Sequence, residues 1–238
     1  MSSPPPNTYI LVHGEWHGGW CWRSVADRLK AGGGEVFTPT LTGLGERAHL
    51  LDKTVNLSTH IEDVCQLISF EDLTDIVLVG HSYGGMVVSG VADRMPERIR
   101  ALVVLDGFVP ADGKSMMDYG PDALKAEWEK KAAARGGLSV PPISAEKFGV
   151  SEQLRAWVDK NCVWHPYASV TEKIRLTGGR DRVANKVYIR ATKWSSPAFD
   201  AFAKELPAQG WKTIALDCGH EAMVDAPELL VDTMKAIA

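Results

Sequence analysis

The stretch that most constrains this chain is Ile76-Val77-Leu78-Val79 running into Gly80-His81-Ser82-Tyr83-Gly84, followed by the helical pattern that begins at Met86. A short β-branched apolar run stopped by glycine and followed by a helix reads as a strand buried on both faces of a parallel sheet. The turn between strand and helix is so short that bulky residues at Gly80 and Gly84 would strike neighbouring backbone. Ser82 is therefore expected in a strained conformation at a helix N-terminus, with its hydroxyl above the sheet.

Other segments repeat the same theme. Tyr9-Ile10-Leu11-Val12 ends in His13-Gly14, Ala101-Leu102-Val103-Val104-Leu105 ends in Asp106-Gly107, and Val187-Tyr188-Ile189 ends near Ala191-Thr192. Thr213 to Leu216 and Glu35-Val36-Phe37 are weaker strand candidates. Between them lie helical patterns at Trp22 to Ala31, Leu57 to Phe70, Met86 to Met95 and Pro227 to Ile237, with Ser58 or Asn56 as N-cap of the second. Alternating strands and helices predict an α/β fold, a mostly parallel sheet of about six strands flanked by helices. Residues from about Gly113 to Asp181 break the rhythm with Trp128, Trp157, Trp164, a charged segment from Asp122 to Arg135 and a Gly/Pro-rich piece from Gly136 to Pro142. They read as a helical cap inserted into one domain that spans residues 1–238.

Composition removes several classes of function. A formal charge of −4 offers no general polyanion-binding surface, so no nucleic-acid partner is expected. Cys21, Cys65, Cys162 and Cys218 form no Cys-x-x-Cys pair and no metal-ligand cluster, which points to buried free thiols and no metal. Met1 to Asn7, with the run Pro4 to Pro6, reads as a short extended tail without a secretory leader. A cytoplasmic protein with no membrane partner is the expectation. No cofactor is implied. A homodimer is compatible with the sequence.

A serine hydroxyl needs a base to become a nucleophile. Among seven histidines, His220 in Asp217-Cys218-Gly219-His220 follows the last strand candidate, where the base falls in the order Ser…Asp…His of sheets of this kind. His13, His17, His49, His60, His81 and His165 are expected to be structural or cavity-lining. Backbone N–H groups must face the developing oxyanion; Tyr83, after the nucleophile, and Glu15, on the loop after the first strand, are the candidates.

Leu11-Val12-His13-Gly14, His17-Gly18-Gly19-Trp20-Cys21-Trp22 and Gly80-His81-Ser82-Tyr83-Gly84-Gly85-Met86 resemble the plant methylesterase and hydroxynitrile lyase family of α/β-hydrolases, with its bacterial esterase relatives. Thr40-Leu41-Thr42-Gly43-Leu44-Gly45-Glu46-Arg47 resembles the bacterial branch in particular. The resemblance implies the α/β-hydrolase fold and a serine triad. It also exposes two departures. The lyases carry threonine and lysine where this chain has Gly14 and Glu221, so the resemblance implies ester hydrolysis instead of cyanide release. The family's acid falls after the penultimate strand, where this chain has Trp194. Asp106, at the end of the strand after the nucleophile strand, is then the expected acid, with Asp200 as the alternative; Asp106 read structurally is an ordinary turn residue before Gly107.

The expected activity is a carboxylesterase acting through an acyl-enzyme on small to medium esters that are apolar or aromatic. Gly14, Trp16, His81, Trp128 and Trp164 are the expected substrate-binding residues. Ser82 argues against dehalogenase or epoxide hydrolase chemistry, which needs aspartate at the elbow. Thioesterase, lactonase, cofactor-free haloperoxidase-like and lyase-like activities, or a non-catalytic binding protein on this fold, stand as alternatives.

Overall fold

The computed structural model describes residues 7–237, so the Pro4 to Pro6 tail lies outside the described residues. The strands are β1 (Thr8–Val12), β2 (Glu35–Phe37), β3 (Ile76–His81), β4 (Ile99–Leu105), β5 (Ser139–Val140), β6 (His165–Pro166), β7 (Asn185–Ala191) and β8 (Lys212–Leu216). The helices are α1 (Arg23–Ala31), α2 (Leu57–Phe70), α3 (Gly84–Arg94), α4 (Asp122–Ala133), α5 (Glu152–Asn161), α6 (Tyr167–Thr171), α7 (Pro197–Glu205), α8 (Ala222–Asp225) and α9 (Pro227–Ile237).

Six strands form one sheet in the order β2-β1-β3-β4-β7-β8, every pair parallel. Alternate residues along each strand feed opposite faces, as the two-residue period demands. Ile10, Leu78, Leu102 and Val104 pack with α2 and α3 on one side. Leu11, Val77, Val79 and Val103 pack with α1 and α9 on the other. The helices present matching apolar stripes: Ile61, Val64 and Ile68 on α2, Leu230, Val231 and Met234 on α9. Asn56, not Ser58, caps α2, accepting from the Thr59 N–H while the Thr59 hydroxyl receives the Asn56 N–H.

Chain order and spatial order diverge between β1 and β3, with β2 outside one and β4 outside the other. Ligands of open parallel sheets bind beyond the carboxyl ends of the strands at such a switch point. Val12 is in register with Gly80, His81 with Leu105, Leu105 with Ile189, and Ala191 with Leu216. The loops leaving β1, β3, β4, β7 and β8 therefore open side by side on one rim.

Residues 113–181 hold α4, α5 and α6, together with the antiparallel pair β5 and β6. That pair was not expected, because two residues per strand are too few to show a period. Among the described residues no helix is long and apolar enough to cross a membrane.

Leu102 is fully buried at the centre of the sheet. Leu102→Ala should lower unfolding free energy by about 2–5 kcal/mol, measured by urea denaturation, because the tightly packed layer cannot close over the lost volume.

Candidate active site

The site starts at the end of β3. Ser82 follows the strand with φ at 53°, in the left-handed region that only a tightly held non-glycine residue occupies. Its N–H donates to the Leu105 carbonyl at 3.2 Å, and its own carbonyl accepts from Phe108 N–H at 3.1 Å. A Cβ on Gly80 would stand 2.5 Å from the Gly84 carbonyl oxygen, and one on Gly84 2.7 Å from that of Val12. The two glycines are thus required by contact, as the sequence pattern implied.

Asp106 leaves the neighbouring strand with φ at 39° and no solvent exposure. His220 Nδ1–H donates to its Oδ2 at 2.7 Å. Its Oδ1 accepts from Arg190 Nη1 at 2.7 Å and from the Ala191 N–H at 3.1 Å. Three donors thus converge on one buried carboxylate, which compensates its removal from water. With Nδ1 committed to Asp106, the Nε2 of His220 keeps its lone pair for a proton.

Asp200 sits at the outer side of the same arginine, accepting from Arg190 Nε at 2.8 Å with a largely exposed side chain. It makes no contact with His220 comparable to that of Asp106. At the position where the resemblance expects an acid, Trp194 lays its ring 4.3 Å from the His220 ring, centroid to centroid, and its carbonyl accepts from Arg190 Nη2. Arg190 escaped the sequence reading. Its one visible signal is a cation directly after the apolar run Val187-Tyr188-Ile189.

The loop after β1 brings a second unforeseen feature. The sequence points to the backbone N–H of Glu15, yet its side chain enters the site. Glu15 Oε2 accepts from Ser82 Oγ–H at 3.0 Å and from the Tyr83 N–H at 3.2 Å. Burial pushes the Glu15 carboxyl above the usual range, against the pull of these hydrogen bonds and of His220. Trp16, next in the chain, has φ at 63°. Three of the left-handed non-glycine residues, Trp16, Ser82 and Asp106, thus cluster at this rim.

The remaining histidines divide by charge. Burial lowers His13 to about 3 and His60 to about 4, and depresses His81 and His165 well below their ordinary value. As neutral rings His13, His60 and His165 each donate and accept once: His13 Nδ1–H gives to the Gly14 carbonyl while Nε2 receives the Leu41 N–H. His81 Nε2–H gives to the His220 carbonyl, so it steadies the loop that carries His220. His17 is the exception. Burial opposes its charged form, but the Glu221 carboxylate 3.5 Å away, aided by Cys162, outweighs that and lifts it to about 10. His81, His220 and Glu221 bring possible ligand atoms within 4.8 Å of one another. His220 Nδ1 is bonded to Asp106 and His81 Nε2 to the His220 carbonyl, while Glu221 is ion-paired with His17; His81 Nδ1 and Glu221 Oε2 accept no hydrogen bond.

A cavity of about 540 Å³ opens above Ser82 and His220. Its walls are mostly apolar, with Trp16, Phe108, Met117, Leu124, Trp128 and Phe199 prominent. Gly14 and His81 line a separate small space behind Ser82 and not this cavity. Trp164 is not in the wall; it is 36% exposed beneath Arg135, whose guanidinium carbon stands 4.0 Å over its ring. Trp157 is likewise turned outward, packing edge-on against Trp20. Trp16 and Trp128 do line the cavity, and methionine, leucine and phenylalanine supply much of the rest, residues with no sequence signature that separates lining from core. All four cysteines are free thiols.

A parallel sheet of this topology, with a serine at a strand-to-helix elbow and a histidine–carboxylate pair on the same rim, is the α/β-hydrolase fold. The chain belongs to the alpha/beta hydrolase family, whose model matches residues 9–233. It is 45% identical to a carbendazim hydrolyzing esterase of Nocardioides sp. (strain SG-4G), over 96% of this chain and 98% of that protein. Methylesterase 1 of Arabidopsis thaliana is 33% identical over 60% of this chain and 54% of its own length. An extracellular alpha/beta-hydrolase from a Paenibacillus species superposes with a TM-score of 0.87 at 24% identity, covering 98% of this chain and 99% of that one. Polyneuridine aldehyde esterase does so with 0.74 at 17% identity, covering 98% and 99%; at these identities the likeness concerns the fold. Within the family, this chain is a carboxylesterase-type hydrolase.

The His17–Glu221 pair gives a pH test. A histidine held above its unfolded value adds stability that is complete below about 6.5 and fades as pH climbs towards 10. The stability difference between wild type and His17→Gln should therefore shrink over that window in thermal melts.

Proposed function

We propose that Ser82 is the nucleophile, His220 the general base and Asp106 the acid of a triad that hydrolyses apolar or aromatic carboxylic esters. The observation that carries the reading is the 2.7 Å hydrogen bond from His220 Nδ1 to the buried Asp106 carboxylate, beside a serine held at positive φ. Ser82 Oγ attacks the acyl carbon as His220 Nε2 takes its proton. The tetrahedral oxyanion is held by the N–H groups of Tyr83 and Glu15. His220 returns the proton to the departing alcohol, and a water repeats the sequence on the acyl-enzyme to release the acid. Asp106 fixes the ring and stabilises the imidazolium, while Arg190 and the Ala191 N–H hold Asp106 in place. Residues 113–181 act as the cap, contributing Met116, Met117, Leu124 and Trp128 to the cavity wall.

The apolar cavity supports esters with aromatic or medium-sized groups. Carbendazim, named for the Nocardioides relative, is the natural first test compound. The lyase alternative has little support. A Cβ at Gly14 would stand 2.9 Å from the Ser82 Cβ, so threonine does not fit there, and Glu221 offers an anion where a lyase needs a cation.

Ser82→Ala should leave no measurable turnover of 4-nitrophenyl esters. Asp106→Asn should lower kcat by roughly 10⁴-fold, the loss seen when a triad carboxylate is replaced in a serine protease. Asp200→Asn should stay within about tenfold of wild type, since Asp106 keeps all three of its donors. A dead Asp200→Asn beside an active Asp106→Asn would reverse the assignment.

A further inference from the structure

Any acyl oxygen that enters this site must bind the Tyr83 N–H, and Ser82 must release its hydroxyl hydrogen to His220 before it can attack. In the structure both hydrogens go to one atom of the protein itself, Glu15 Oε2, at 3.2 and 3.0 Å. A carboxylate oxygen on those two donors reproduces the position of the acid product. Glu15 is only 7% exposed, and it also lines the apolar cavity. Its backbone is held independently of the side chain: the Glu15 carbonyl accepts from His17 N–H at 2.8 Å and from His17 Nδ1–H at 2.6 Å.

We propose that the Glu15 carboxylate is a built-in competitor for the acyl-oxygen site, resting on the reading of Ser82 as nucleophile. A substrate's carbonyl oxygen displaces it from Tyr83, which frees the Ser82 hydroxyl for His220. After deacylation the carboxylate returns and expels the anionic product, with which it shares both donors and a charge. The residue thereby sets specificity: neutral esters enter against a fixed cost, whereas ligands bearing a carboxylate at the acyl position meet competition and repulsion together. No bond is made or broken by Glu15.

The test uses 4-nitrophenyl benzoate as substrate and benzoate as inhibitor, with Glu15→Gln and Glu15→Ala compared to wild type after both variants are checked by thermal melting. Glu15→Gln keeps the shape of the side chain and removes the charge. In both variants the benzoate Ki should fall by about 10- to 100-fold, the range expected for hydrogen bonds to a charged group, and KM should fall with it. An unchanged or higher Ki in both variants overturns the proposal, as does a large loss of kcat with Ki and KM unmoved, which would make Glu15 a proton-transfer group. Labelling with a 4-nitrophenyl phosphonate, read by mass spectrometry, separates the two layers of the argument. No adduct on Ser82 in wild type defeats the nucleophile assignment and this proposal together. A Ser82 adduct with unaltered Ki in the variants defeats this proposal alone.

Discussion

Asp106 carries a carboxylate with no exposure to water, and the arrangement of the rim follows from what compensates it. An isolated buried carboxylate is too costly to exist. Here the compensation comes from three directions: a guanidinium on the next strand, a backbone N–H beside it, and the imidazole of His220 from the loop after β8. Two donors lie on β7 and the third on the His220 loop, so the carboxylate ties β4, β7 and that loop into one unit. Removing any donor leaves the others around an under-satisfied charge, which is why a residue outside the chemistry, Arg190, matters as much to geometry as the base does. Asp200 acts on the arginine and not on the histidine, so of the two carboxylates only Asp106 meets the His220 ring.

The second constraint is backbone strain, and it is concentrated. Trp16, Ser82 and Asp106 follow three adjacent strands, β1, β3 and β4, and all adopt left-handed conformations. Such conformations cost of order 1–3 kcal/mol each and persist where surrounding structure over-determines them. The parallel sheet supplies that rigidity: its strand ends are in register, and its core is packed on both faces. The strain turns each chain sharply at the rim, so that side chains from separate loops meet over one cavity. The same sharp turn after β1 is what delivers Glu15 to Ser82.

Much of this was legible in the residues. The six strands and four of the helices announce themselves by period and by their glycine or proline stops, and the elbow by two glycines that nothing larger can replace. His220 follows from order along the chain. Asp106 was reachable because adjacent strand ends share a rim, even though Trp194 stands where the resemblance places an acid. What stayed hidden depends on side-chain direction across long sequence separations. Nothing local marks Arg190 as the partner of Asp106, 84 residues away, or tells that Glu15 turns its carboxylate on Ser82, 67 residues away. Trp128 and Trp164 look alike in sequence, yet one is buried in the cavity wall and the other lies outside under Arg135.

The central claim is that Asp106, and not Asp200, holds the base, and proton NMR of the His220 ring tests it most directly. A strong histidine–carboxylate hydrogen bond moves the Nδ1 proton far downfield of the amide region. Wild type and Asp200→Asn should both show that resonance, and Asp106→Asn should lose it. Its survival in Asp106→Asn, with loss in Asp200→Asn, would contradict the account.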